Sequence, residues 1–285
     1  MRRIAGLPER GRGPGAAGLS ELANRLSERD MQVLETVGNH RYLTTRQLQN
    51  FTFHNHHHNH NHNHNPSESA ARVCRRVLLR LEGWGLLQRP VRRVGGLQAG
   101  SAASIWMLTT TGQRLRSLRT GLGAVGRNRE PGEGFIRHYL AIADTHLALI
   151  EAQRAKRLEL LTVEIEPAAW RSYTGPTGTP VTLKPDLYAV TASGEFEDHW
   201  FIEVDRATES IPTLIKQCRQ YEAYRHNGTE QAHSGLFPLV LWVVPDELRA
   251  AKLHQALTLA RDLDITLFRI TTPDRLITTI TGGEQ

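Results

Sequence analysis

KPDLY at residues 184–188 and WFIEVDRATES at residues 200–210 are the two stretches on which the architecture turns. The first sets one carboxylate, Asp186, at the mouth of an apolar run. The second sets two more, Glu203 and Asp205, inside the next run. Acidic side chains are costly in buried strands unless something pairs with them, and a divalent cation is one of the few partners that holds several at once. In a strand, Glu203 and Asp205 are i and i+2 and point to one face, where Asp186 on a paired strand can meet them.

Working outward, the flanking periodicities alternate between 3.6 and 2. A helix is expected over residues 135–157, where Ile136, Tyr139, Leu140, Ala143, Leu147 and Ile150 share one side. Strands follow at 158–165, 181–191 and 199–205, separated by the YTGPTGTP stretch and a turn at Gly194. A helix at 211–227, a buried strand at 236–244, a helix at 246–262 and a strand at 265–270 complete the order αβββαβαβ. That order predicts an α/β (α+β) domain over residues 135–285, a mixed sheet with helices packed on its faces.

The first half reads differently. Leu22, Leu26, Met31, Val33, Leu34 and Val37 recur at helical spacing after Ser20, and Gly38-Asn39 stops the run. Thr44 opens a short helix containing Leu48. A third helix begins after Pro66-Ser67 with Ala70, Cys74, Val77, Leu78 and Leu81 as its stripe, keeps Arg72, Arg75, Arg76 and Arg80 mainly off that stripe, and ends at Gly83-Trp84-Gly85. LLQRPVRRV and SIWMLTTTG then form a hairpin with a long Gly/Ala/Ser tip, flanked by Arg89, Arg92 and Arg93. Three helices and a hairpin over residues 20–120 resemble a winged helix-turn-helix domain. The resemblance implies a third helix in the major groove of double-stranded DNA and a wing on the adjacent backbone; such domains also mediate protein contacts. Residues 1–19 read as a disordered basic segment and 121–134 as a Gly-rich linker.

Charge separates the halves. Residues 1–130 hold 20 Arg, no Lys and 8 acids, a net +12, whereas residues 131–285 hold 15 basic and 21 acidic residues, a net −6. A concentrated Arg excess suits a phosphate backbone, because neutralising phosphates releases condensed counterions; an Arg-loaded solvated surface is the alternative. Cys74 and Cys218 fall in different halves and offer neither a disulfide framework nor a paired-thiolate metal motif. The first 19 residues lack the apolar stretch of a signal peptide, and the apolar run at 236–244 is too short to span a bilayer, so the expectation is a cytoplasmic protein with no membrane partner. Seven of the 14 histidines lie in the low-complexity loop at residues 54–65, from His54 through the last one, His64. That loop is either a tolerated repeat expansion or a loose Zn2+ or Ni2+ chelator, since neutral imidazoles bind both ions without the repeat fixing a geometry.

The strand order, with Pro185-Asp186 on one strand and Glu203 on the next, resembles the PD-(D/E)XK nuclease-like superfamily over residues 135–270. The resemblance implies Mg2+ or Mn2+ held by Asp186 and Glu203. QCRQY at 217–221 is similar to the Gln-x-x-x-Tyr motif of RecB-type nucleases, in which Gln217 and Tyr221 position the acids or the scissile phosphate. The superfamily's lysine is replaced by Asp205, which would complete the metal shell, and Lys184, Lys216 or Arg219 would have to supply a cation from elsewhere. More narrowly, the basic winged helix, HYLAIADTHLAL, KPDLYAV, FIEVDRATES and QYEAYRH together resemble the replication-relaxation family of plasmids, integrative elements and phages. That resemblance implies a DNA-associated role in replication, DNA relaxation or mobilisation, with relaxase or replication proteins as partners. On one reading the C-terminal domain is a Mg2+-dependent endonuclease or nickase. On the other it is a degenerate nuclease scaffold in a non-enzymatic regulator or relaxosome adaptor, used for protein contacts including a homodimer.

Overall fold

The computed structural model describes residues 15–53, 66–90, 104–121 and 131–282. The segment before residue 15, the His/Asn loop at 54–65, Arg92 and Arg93, and residues 122–130 of the linker lie outside the described residues. The chain divides into two compact units, residues 1–140 and 141–285.

In the first unit, α1 (Ala16–Arg25) and α2 (Glu28–His40) replace the single expected run. Ser27 divides them: its hydroxyl accepts from the Asp30 backbone N–H while Asp30 accepts from the Ser27 backbone, a capping box that starts α2 afresh. A second capping box, Thr44 with Gln47, starts α3 (Thr45–Thr52) directly after β1 (Leu43–Thr44). Next come α4 (Pro66–Gly83), β2 (Leu87–Gln88), β3 (Ile105–Leu108) and α5 (Thr110–Thr120). The strands form an antiparallel sheet in the order β1-β3-β2. Val33, Leu34, Val37, Leu48, Cys74, Leu78 and Leu81 are buried as the α2–α4 stripes require. Each contributes about 1.5–3 kcal/mol of transfer free energy where the side chain is large. The α5 helix has no strong signal in the sequence, because TTGQRLRSLRT buries little beyond Leu115. It starts where Thr109 caps the N–H of Gly112, and a Cβ at Gly112 would fall 2.2 Å from the Leu86 carbonyl oxygen, so this close approach admits only glycine.

His40, at the end of α2, is 3% exposed, with Nδ1 2.9 Å from the Thr36 carbonyl and its ring 4.6 Å from that of Phe51. Burial pushes its pKa down from the ordinary 6.5 to about 4. The unfolded chain therefore takes up a proton that the native state refuses. Stability present above pH 6.5 is lost progressively as the pH falls toward 4, by up to about 3 kcal/mol. Urea titrations at pH 7 and pH 4.5 check this: His40→Phe should remove most of the difference, and an equal pH slope in both proteins would contradict it.

In the second unit, the rest of α6 (Glu133–Arg154) leads to β4 (Glu159–Ile165), β5 (Arg171–Thr174), β6 (Pro180–Leu183), β7 (Leu187–Ser193) and β8 (Phe196–Val204). Then follow α7 (Ile211–Asn227), α8 (Thr229–Ser234), β9 (Leu239–Val243), α9 (Glu247–Leu259), a 3-10 turn at Ile265–Leu267, β10 (Phe268–Thr271) and α10 (Leu276–Ile280). The five-stranded sheet runs β10-β9-β8-β7-β4, parallel from β8 to β10 and antiparallel at β7 and β4, so the fold is α/β with a mixed sheet. The strand expected at 181–191 is two: β6 pairs with β5 in a separate ribbon, and β7 starts only at Leu187. Pro185 has no N–H to give a ladder, which separates them.

Alternation sorts the sheet into two buried faces. Tyr188, Val190, Phe201, Val240 and Trp242 join Leu214, Cys218, Tyr221 and Tyr224 of α7 in one core. Leu187, Ala189, Ile202, Leu241 and Val243 are buried on the other face, which is why LVLWV reads as an unbroken apolar run. Arg171 of β5 lies over the Tyr188 ring at 4.7 Å and donates to Glu164 at 2.9 Å, and its Nε stands 3.4 Å from the buried Glu230, tying the ribbon to the sheet. Among the described residues no helix is long and apolar enough to cross a membrane.

Candidate metal centre

Register builds the site. Ile165 pairs with Leu187 and Leu187 with Ile202, so the next step along all three strands aligns Glu166, Asp186 and Glu203. The Glu166 N–H donates to the Asp186 carbonyl at 3.0 Å, extending the ladder by that step. Because side chains alternate, these three acids share the face that carries Tyr188 and Phe201, the face covered by α7. Glu166 and Asp186 each offer a carboxylate oxygen within 4.8 Å of the other.

Each acid is held by a different device. Asp186 is buried, and its Oδ2 accepts the Val204 N–H at 2.8 Å. Glu203, half-buried, accepts from the Tyr221 hydroxyl at 2.5 Å. Burial pushes the Glu203 pKa well above the usual carboxylate range, and Asp186, Glu166 and Glu209 push it further, against the opposing pull of the Tyr221 hydrogen bond. Burial and the neighbouring Glu203 also push the Tyr221 phenol up, so this hydroxyl is a fixed donor and not a base. One turn earlier on α7, Gln217 donates to Glu209 at 3.3 Å. Carboxylate donors of this kind fit Mg2+ or Mn2+.

Asp205 stands apart from the row. The strand ends at Val204, and the Asp205 carboxylate pairs with Arg249 of α9 at 2.6 Å. The cations considered as lysine replacements are engaged or outward: Arg219 pairs with Asp262 at 2.6 Å, Lys184 sits 4.8 Å over the Trp170 ring, and Lys216 is exposed.

The Replication-relaxation family pattern matches residues 34–240, well over half of the sequence. The chain belongs to the Replication-relaxation family. No curated protein matches it. Two solved structures of the restriction endonuclease FokI are similar to it, the enzyme bound to DNA at 10% identity and the enzyme itself at 11%. Both cover 97% of this chain and 73% and 74% of their own, each with a TM-score of 0.26.

In this Replication-relaxation protein the matched stretch includes α4 and the whole acidic row, but not Arg249. On α4, Arg72, Arg75 and Arg76 are exposed. Arg80 is committed to the buried Asp30 at 2.5 Å; against the upward push of burial, it and Ser27 hold that carboxyl below its usual pKa. Arg89 pairs with Glu82 at 2.9 Å and lies 4.7 Å over Trp106. No local pattern in the sequence marks Glu209 or Arg249, and only the alternation Glu164-x-Glu166 at the end of a strand marks Glu166.

Proposed function

We propose that this member of the Replication-relaxation family is a DNA-binding protein whose C-terminal unit holds Mg2+ or Mn2+ and acts on a DNA phosphodiester. The carrying observation is the row Glu166, Asp186 and Glu203, in which the charges acting most strongly on Glu203 are all carboxylates. Carboxylates forced together without a cation stay partly protonated, and a divalent ion relieves that frustration. When bound, such an ion would polarise a phosphate oxygen and lower the pKa of an attacking water. The protein's own part is to hold the acids: the Val204 N–H fixes Asp186, Tyr221 fixes the Glu203 rotamer, and Gln217 steadies Glu209. Double-stranded DNA would dock on the exposed Arg72, Arg75 and Arg76, as in a winged helix, with relaxases or replication proteins of a mobile element as partners.

A second reading, a non-catalytic regulator or adaptor, is favoured by one feature: Asp205, standing where nucleases of this type carry lysine, is neutralised by Arg249. Incubation of supercoiled, linear and single-stranded DNA with Mg2+, Mn2+ or EDTA separates the two. Nicking that requires metal and is lost in Asp186→Ala/Glu203→Ala supports the first. DNA binding without cleavage in any metal supports the second.

A further inference from the structure

The segment between β8 and α7 is fixed from outside itself. Asp205 continues the β8–β9 ladder by one hydrogen bond, donating its N–H to the Val243 carbonyl at 2.9 Å. Its carboxylate then does two things. Oδ1 accepts the Ala207 N–H at 2.9 Å, and Oδ2 accepts Arg249 Nε at 2.6 Å. Ala207 has φ of 54°, a left-handed backbone that a non-glycine residue adopts only when its surroundings impose it. Arg249 Nη2 reaches past Asp205, at 3.3 Å, to the Glu209 carbonyl at 2.7 Å. The arginine is itself anchored, because its backbone N–H is capped by Asp246 at the start of α9. Both side chains of the ion pair are almost excluded from water, at 12% and 2% exposure, so the fork has one geometry and not many.

The residue this fork positions is Glu209. Its carboxylate is exposed and is met by Gln217 from α7, one turn before the Tyr221 that holds Glu203, so the same side of α7 meets both acids. We propose that Arg249 is a positioning residue for the metal centre: acting through Asp205 and the Glu209 carbonyl, it fixes residues 205–209 so that the Glu209 carboxylate lends a fourth negative charge to the row. This rests on the metal-binding reading above and adds to it the reason for an acid at position 205. Asp205 serves the centre through the loop it shapes and not as a ligand. The substitution of the lysine and the distant arginine are then one device.

The test is Mn2+ titration of the metal-free full-length protein by calorimetry, with thermal melts alongside. Arg249→Lys keeps the charge but loses the fork. Glu209→Gln removes the carboxylate at an exposed position and leaves the ion pair intact. Each should weaken Mn2+ binding about tenfold, the range seen when partners behind metal ligands are removed. The double variant should bind no more weakly than either single one, since both act through the same carboxylate. Glu209→Gln should melt with the wild type, which a purely structural role would also allow, but its loss of Mn2+ affinity a structural role would not produce. If Arg249→Lys does not fold, Asp205→Asn, which keeps the acceptor for Ala207, takes its place in the cycle. Additive losses, or wild-type affinity in Glu209→Gln, overturn the proposal while leaving the metal centre standing, provided Asp186→Asn and Glu203→Gln abolish binding. Wild-type protein that binds no Mn2+ through Asp186 and Glu203 overturns both.

Discussion

In buffer stripped of divalent cations, Glu203→Gln melts above the wild type, and on addition of Mn2+ the order reverses. The first half follows from crowding. The wild-type carboxylate is desolvated beside Asp186 and Glu166, so its ionised form is disfavoured in the native state. The amide oxygen of glutamine still accepts the Tyr221 hydroxyl, more weakly but without the charge. Relief of that crowding raises the melting temperature of the metal-free variant above that of the wild type. The sign of the pH response agrees. A native pKa above the unfolded one means that the folded state holds a proton the unfolded chain releases. The metal-free wild type therefore gains stability from this residue as the pH falls toward the ordinary carboxylate range, and the variant does not. The second half is mass action: Mn2+ at a hundred times its dissociation constant adds about 2.7 kcal/mol to a protein that binds it only when folded. A Glu203→Gln protein that is less stable in EDTA, or a wild type indifferent to Mn2+, would count against the crowded row.

The triple substitution Arg72→Ala/Arg75→Ala/Arg76→Ala should weaken binding to duplex DNA by about a hundredfold or more at moderate salt. It should also reduce the slope of log K against log salt by about 2–3, near 0.9 for each phosphate that is no longer neutralised. These three guanidiniums are exposed on one helix whose opposite side is buried through Cys74, Leu78 and Leu81. Arg80→Ala is the informative control. Its partner Asp30 is buried and also forms the α2 capping box, so this change should lower the melting temperature more than it changes the salt slope. Gel-shift titrations between about 50 and 300 mM salt, the range over which counterion release dominates, measure both quantities. An unchanged slope in the triple variant would remove α4 as a phosphate-binding helix.

How much of this is legible in the sequence depends on whether the signal is local. The apolar spacing predicts a helix at 211–227, and α7 is found at Ile211–Asn227, because its punctuation is in the chain: the Ser210 cap, Pro212 in the first turn and Gly228 in the left-handed conformation after it. The mixed sheet is likewise legible from the order of apolar runs. The division of 181–191 is signalled by Pro185 but masked by the valines and leucines around it. What no local pattern carries is register. Glu166 joins Asp186 and Glu203 only because β4 and β7 pair as they do, and that pairing is long-range. The i, i+2 spacing of Glu203 and Asp205 suggests a shared face, but the spacing holds only while the strand continues. Here it stops at Val204, Ala207 turns left-handed, and the partner of Asp205 lies 44 residues further on. Of the seven arginines singled out for DNA, exposure could not be read from the sequence. Arg80 and Arg89 are spent on Asp30 and Glu82, and Arg92 and Arg93 lie outside the described residues.

Crystals grown in Mn2+ and measured near the manganese edge would locate the ion directly by its anomalous scattering. A peak bounded by the carboxylates of Asp186, Glu203 and Glu166, absent in the Asp186→Asn/Glu203→Gln protein, is what the acidic row predicts. A map with no peak there, or with manganese at Asp205 in place of Arg249, would contradict it.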